Sequence, residues 1–270
     1  MVNICEKFAR KNGLKFSTNM VPSKSKTKCI IFAKGRAPTV DPILLNGNPL
    51  PWVSEIKHLG NILQSDNSMK SYCLSKRGKF IGIVNSLLQE FHFVAPSILV
   101  KLINIYASSF YGSSLWDLYS PQVDKIFKSW NVTIRNIFNL PWRTHRYWIE
   151  IVSDCHHPKT LLSSRFVNFV NTLKSCKKKE VRFLASLCLD DKRTMFGKTL
   201  DRISREVSVE VSLLTPGIVK RSLKYCCFPM DKRWQIPILL ELIEMKNKKS
   251  EIENFSFEDT KIMIDMICTN

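Results

Sequence analysis

Apolar residues follow two different rhythms along this chain, with the change near Asp66. Val2, Ile4, Cys5, Phe8 and Ala9 fall near helical spacing, and Asn12-Gly13 supplies the stop that such a helix needs. A linker rich in Ser, Thr, Asn and Pro follows. The run Lys28-Cys29-Ile30-Ile31-Phe32-Ala33 predicts a short buried strand, closed by Lys34-Gly35-Arg36. Ile43–Leu50 carries a hairpin signal, because Asn46-Gly47 tolerates the positive φ angles of a tight turn. Ile56–Leu63 predicts a further strand.

Beyond Asp66 the period lengthens to that of packed helices. Phe80, Ile83, Val84, Leu87, Leu88 and Phe91 recur at intervals of three and four, an apolar stripe on one helix face. Pro96 opens a second helix, with Ile98, Leu99, Leu102, Ile105, Tyr106, Ser109 and Phe110 on its predicted inner face. Pro121 opens a third, with Val123, Ile126, Phe127, Trp130, Ile134, Ile137 and Phe138. Proline suits these positions because the first N–H groups of a helix have no intrahelical partner. From Pro158 onward the pattern predicts four or five more helices. Their breaks fall near 176–179, 190–193, 215–217, 229–231 and 250–255. The expected class is α+β and predominantly α-helical.

Charge narrows the field of partners. Lys and Arg number 41 against 23 Asp and Glu, a formal net charge of +18. A field of that size attracts polyanions, with nucleic acid first among them. An anionic membrane surface or simple lysine-rich codon usage would be the other sources of such a balance. Residues 1–36 carry nine basic side chains and one acid, Glu6, whereas the last twenty carry one Lys and five acids. Hydrophobic residues make up 44% of the chain, enough to build a core and too many for wholesale disorder. No run approaches the ~18 uninterrupted apolar residues of a membrane span. The first thirteen residues are charged throughout, unlike a signal peptide. Nine scattered cysteines read as reduced thiols. An intracellular protein of nucleus or cytoplasm, not secreted, is the expectation.

Few residues suggest chemistry. Cys155-His156-His157 is one cluster of metal-ligand types, without the paired spacings of a zinc site, so no metal is expected. No phosphate loop, nucleophile–base order or Asp-rich box occurs, and Asp41, Glu55 and Asp66 stand apart, so no catalytic residue is expected. Lys24, Lys26 and Lys28 form a basic alternation, either phosphate contacts or a solvated loop. The octapeptide Pro141–Trp148 interleaves Arg143, His145 and Arg146 with Trp142, Tyr147 and Trp148. That mixture can grip a strand by stacking and charge. Its simpler reading is a helix-to-helix corner whose aromatics pack inward.

Several strings, in order, resemble the reverse transcriptases of non-LTR (LINE-like) retrotransposons. They are Cys5-Glu6-Lys7-Phe8-Ala9 with Gly13–Asn19, then Pro22–Phe32, then His58-Leu59-Gly60-Asn61. Glu90-Phe91-His92-Phe93, then Ile105-Tyr106, Phe110, Gly112-Ser113 and Leu115-Trp116-Asp117-Leu118, then Trp130-Asn131, and Leu140-Pro141 with Thr144-His145-Arg146-Tyr147 continue the likeness past the palm. The resemblance implies that the first segment follows the metal-binding aspartate box, which would lie upstream of Met1. It further implies that Lys26, or alternatively Lys24, corresponds to the palm lysine near the incoming nucleotide. The hairpin ending in His58-Leu59-Gly60 is similar to the primer grip, and the helices after it to the thumb. The closing Ile264–Asn270 looks like a natural carboxy terminus.

The expected organisation is a palm remnant at 1–64, a helical thumb-like region at 65–150 and a helical terminal domain at 151–270. The implied function is binding of primer–template, whether RNA, DNA or hybrid. Expected contacts are Lys24, Lys26, Lys28, His58, Gly60, Arg143, His145 and Arg146. Without an aspartate box no polymerisation and no resident cofactor are expected, Mg²⁺ belonging to an intact polymerase alone. The alternatives are a helical protein-interaction module and an expressed retrotransposon relic without function.

Overall fold

The computed structural model describes residues 2–224, except Met20, Lys34, Arg36, Ala37 and Asn67. Nine α-helices and two separate two-stranded antiparallel sheets form within those residues. The α+β, predominantly helical class expected from the pattern is therefore the class observed. The expected breaks at 229–231 and 250–255, the closing segment and Cys226-Cys227, a pair expected to pack in a core and not to act in redox chemistry, lie outside the described residues. The chain forms two compact units, one up to Ser75 and one from Lys76 onward.

In the first unit, α1 (Val2–Lys11) ends where Asn12-Gly13 predicts. Gly13 takes φ +65°, and the Leu14 N–H donates to the Ala9 carbonyl at 2.8 Å, satisfying a terminal carbonyl. The Asn-Gly hairpin forms as expected, with β1 (Leu44–Leu45) paired to β2 (Asn48–Pro49). Asn46 at φ +50° and Gly47 at φ +74° give the left-handed pair a primed turn requires. The Glu6 carboxylate accepts the Asn46 N–H and ties α1 to that turn.

Two expectations here need correction. Ile56–Leu63 is not one strand but a second hairpin, β3 (Glu55–His58) against β4 (Asn61–Gln64). Its turn is Leu59-Gly60, with Leu59 at φ +46°. Residues 28–33 do not form a buried strand. Cys29 makes one isolated parallel bridge to Trp52, and the Ala33 N–H donates to the Ser65 carbonyl at 3.0 Å. Phe32 stays 51% exposed. A segment pairing at two points only gains neither a full ladder nor a covered face.

The α2 helix (Lys70–Glu90) runs from the first unit into the second. Its predicted stripe is buried at Phe80 and Val84 but exposed at Ile83 and Phe91. In the second unit, α3 (Pro96–Tyr106) begins at its predicted proline. It buries Leu99, Val100 and Ile103, while Ile98, Ile105 and Tyr106 are exposed, so the predicted inner face was rotated. The third helix, α4 (Pro121–Ile137), buries Val123, Ile126, Phe127, Trp130, Ile134 and Ile137 as predicted. Ser120 caps it, its hydroxyl accepting the Val123 N–H.

Helices α5 (Arg146–Ser153), α6 (Pro158–Lys174), α7 (Lys179–Asp190), α8 (Met195–Val207) and α9 (Pro216–Leu223) complete the unit. The breaks predicted near 176–179 and 190–193 match, whereas the third opens earlier than 215–217, at the end of α8, and α9 has already begun at Pro216. Helix α6 is the hub, packing on α4, α7, α9 and the short 3₁₀ turn Ser113–Leu115. Trp116, Trp130, Trp148 and Phe166 are wholly buried in this core. Phe166 also stacks on Phe196 of α8 at 5.8 Å between ring centroids. Thr194 and Thr215 cap α8 and α9 through their hydroxyls.

Candidate nucleic-acid interface

The basic alternation before Cys29 acquires a direction from its serine. Ser25 is buried, and its hydroxyl donates to the Thr27 carbonyl and, at 3.4 Å, to that of Ser17. With Ser25 turned inward, Lys24 and Lys26 on either side are exposed, and Lys28 is half-buried. The Lys24 N–H donates to the Val21 carbonyl at 3.0 Å, so the display rests on a closed turn. The same unit holds His58 and Gly60. His58 is exposed at the end of β3, opposite Asn61, and Gly60 takes φ +78° in the turn. The Tyr72 hydroxyl and the Asn61 side-chain oxygen meet at 2.7 Å, anchoring the hairpin tip to the start of α2.

Arg143, His145 and Arg146 belong to the second unit, at the corner between α4 and α5. The corner is rigid for local reasons. Asn139 takes φ +50°, and the Leu140 N–H donates to the Arg135 carbonyl at 2.8 Å, closing α4. The Thr144 N–H then donates to the Pro141 carbonyl at 3.0 Å. The Arg135 guanidinium donates twice to the Thr144 carbonyl, from Nε at 3.1 Å and Nη2 at 2.7 Å. Burial lowers the Arg135 pKa below its ordinary value.

The aromatics of this octapeptide divide. Trp148 is buried in the core, as the inward-packed reading holds. Trp142 is not: it is 79% exposed, and the Arg143 guanidinium lies 4.9 Å from its ring centroid. A flat aromatic face with a cation over it, held on a clamped turn, is a surface on which an unpaired base can stack. His145 and Arg146 are exposed at the start of α5. Nothing in the spacing distinguished Trp142 from Trp148. The amphipathic pattern of α5, which buries Trp148, Ile149, Ile151 and Val152, would have done so had that helix been predicted.

Other cations are engaged internally. Lys159 and Arg202 sit 5.1 and 5.0 Å from the Tyr119 ring centroid, and Lys159 pairs with Glu206 at 2.7 Å. Burial, then the Glu206 carboxylate, raises the Tyr119 hydroxyl pKa far above its ordinary value and keeps it neutral. Asp201 holds Lys192 and Arg205, and Asp124 holds Lys128.

Cys155, His156 and His157 diverge. The Cys155 sulfur lies 3.1 Å from the Ser153 hydroxyl. His157 turns into the core against Phe127 and Trp130. Among the described residues no group of three His, Cys, Asp or Glu side chains is placed to hold a metal ion. No helix among them is long and apolar enough to cross a membrane. The chain matches no family model, no curated protein and no solved structure.

Proposed function

We propose that this chain binds nucleic acid, contacting a primer–template or single strand through its basic turns and an exposed stacking platform. The carrying observation is Trp142, a large aromatic left 79% exposed on a clamped corner with Arg143 stacked over it. At 79% Trp142 is among the most exposed of the large apolar side chains, and its indole face is open to stacking. Base stacking on such a face contributes about 1–3 kcal/mol per base and is tolerant of sequence. Lys24 and Lys26, turned outward by the buried Ser25, supply phosphate contacts of the position-fixing kind. The likeness of these segments to non-LTR retrotransposon reverse transcriptases supports primer–template as the ligand.

The experiment is fluorescence anisotropy with a labelled single strand and the full chain. Trp142→Ala should weaken binding by roughly 5- to 100-fold, and Trp142→Tyr should retain most of it. Equal affinity for wild type and Trp142→Ala would remove the platform from the account.

A second reading, a protein-interaction module, has its own observation. Ile98, Ile105 and Tyr106 of α3 and Phe183, Leu184 and Leu187 of α7 are exposed apolar groups on regular helices. Ile98→Glu with Ile105→Glu should leave strand binding unchanged. Absence of strand binding by the unaltered, folded chain would favour this second reading.

A further inference from the structure

A cleft of about 590 Å³ opens in the second unit between the loop entering the 3₁₀ turn and helices α6 and α9. Two cations line it, Arg165 from α6 and Lys220 from α9, with the polar side chains of Asn168 and Thr172 beside them. Among the described residues no Asp or Glu lines the cleft, and neither cation has an ion pair. The aromatic side chains of Tyr111 and Phe169 complete its walls.

The cleft is a built feature. The Arg165 guanidinium donates through Nη1 to the Ser109 carbonyl at 2.6 Å and more weakly to that of Ser108 at 3.4 Å. Those acceptors are neutral, so they orient the guanidinium and leave its charge uncompensated. The buried Ser164 hydroxyl donates to the Pro216 carbonyl at 3.1 Å and fixes the start of α9 against α6. The loop on the opposite side is held in left-handed backbone at Phe110, φ +40°, and at Gly112, φ +81°. A phenylalanine keeps that angle at a cost of about 1 kcal/mol or more, sustained by its buried ring against Phe80 and Trp116.

We propose that this cleft binds a phosphomonoester carried on a nucleoside-sized group, with Arg165 and Lys220 holding the phosphate. Two uncompensated cations match the near-dianionic charge of a phosphomonoester, whereas a phosphodiester inside a strand carries a single charge. Arg with Lys is a donor set suited to such an anion, the fork giving direction and the ammonium a point charge. The volume lies within the range of small-molecule sites, and a bare phosphate would leave most of it empty. Tyr111, whose ring also carries the Lys76 ammonium at 5.5 Å from its centroid, and Phe169, packed on Phe196, border the organic portion. This inference uses residues distinct from Lys24, Lys26 and Trp142, and does not depend on the strand-binding reading. The phosphomonoester is a free nucleotide or the 5′ end of a strand, and the test separates these sources.

The test is isothermal titration of the full chain with AMP and with adenosine, which differ only in the phosphate. AMP should bind at least about tenfold more tightly than adenosine. Lys220→Gln, an exposed change that removes no internal bond, should weaken AMP about tenfold without altering the melting temperature. Arg165→Gln should do the same to AMP, with melting measured alongside because it loses the contacts to Ser108 and Ser109. A 5′-phosphorylated dT octamer that displaces AMP, while its 5′-hydroxyl twin does not, assigns the cleft to strand ends. Failure of both octamers to displace AMP assigns it to free nucleotides. Absent AMP binding at millimolar concentration, equal binding of adenosine, or an unchanged affinity in Lys220→Gln would overturn the proposal.

Discussion

Lowering the pH should destabilise this protein through His157 before its carboxylates begin to protonate. His157 stands immediately before Pro158 and caps α6, its Nδ1 accepting the Lys159 N–H at 3.1 Å. Its ring is buried edge-on against Phe127 and Trp130, with centroids 5.3 and 5.2 Å away. Burial first, then the charges of Arg146 and Lys159, push its pKa down to about 3. An unfolded chain restores the ordinary value near 6.5. Between these limits the unfolded state binds a proton that the folded state refuses, so stability falls as pH falls through the window. Above about pH 7 both states are neutral and the effect vanishes. The slope is at most about 1.4 kcal/mol per pH unit, which amounts to about 2 kcal/mol between pH 7 and pH 5. His157→Asn keeps an acceptor at the cap, a side-chain oxygen in place of Nδ1, but does not titrate. Urea unfolding of both proteins from pH 7.5 to 5 is the assay. The variant should be less stable at pH 7.5, having lost the ring's packing, and the gap should narrow by about 2 kcal/mol at pH 5. Burial, then Lys224 and Lys220, also lower the His156 pKa, but that residue is common to both proteins and cancels. Parallel stability curves would refute the reasoning.

Two further perturbations probe other joints. Gly197 in the first turn of α8 leaves no room for a side chain, because an added Cβ would strike the Asp191 backbone carbonyl well inside contact distance. Gly197→Ala should cost about 1–3 kcal/mol and lower the melting temperature by several degrees; an unchanged melt would mean that the loop moves aside freely. Arg135→Met removes both bonds to the Thr144 carbonyl and should cost about 1–2 kcal/mol, with faster hydrogen exchange at the Thr144 amide. Unaltered exchange there would show that the corner is held by something other than the clamp.

What the sequence discloses, and where it stops, follows from how local each signal is. Helix starts at Pro96, Pro121 and Pro158 are legible because a proline at N1 needs only its own neighbours. The Asn46-Gly47 turn is legible for the same reason. Leu59-Gly60 is not, because leucine rarely occupies φ +46° and only tertiary context holds it there. Helix α3 is apolar around most of its circumference, Ile98 to Tyr106 being interrupted by Lys101 and Asn104 alone, so periodicity could not choose between faces. Candidate contacts show the same division. Charge and spacing single out Lys24, Lys26 and Lys28, but the inward turn of Ser25 decides which are displayed. Arg165 and Lys220 lie 55 residues apart in the chain, and only the packing of α6 on α9 brings them to one cleft.

The most direct test of nucleic-acid binding is the salt dependence of affinity for a recessed RNA–DNA primer–template, measured on the full chain and on Lys24→Gln/Lys26→Gln. Each phosphate contact releases condensed counterions, so the wild-type affinity should fall steeply as salt rises from 50 to 200 mM. Losing two contacts should weaken binding about tenfold or more and flatten the logarithmic slope by about two. A blunt duplex of equal length and charge should bind less tightly than the recessed one. An affinity indifferent to salt, or a double variant with unchanged affinity and slope on both duplexes, would contradict the account and leave the +18 as a surface property without a site.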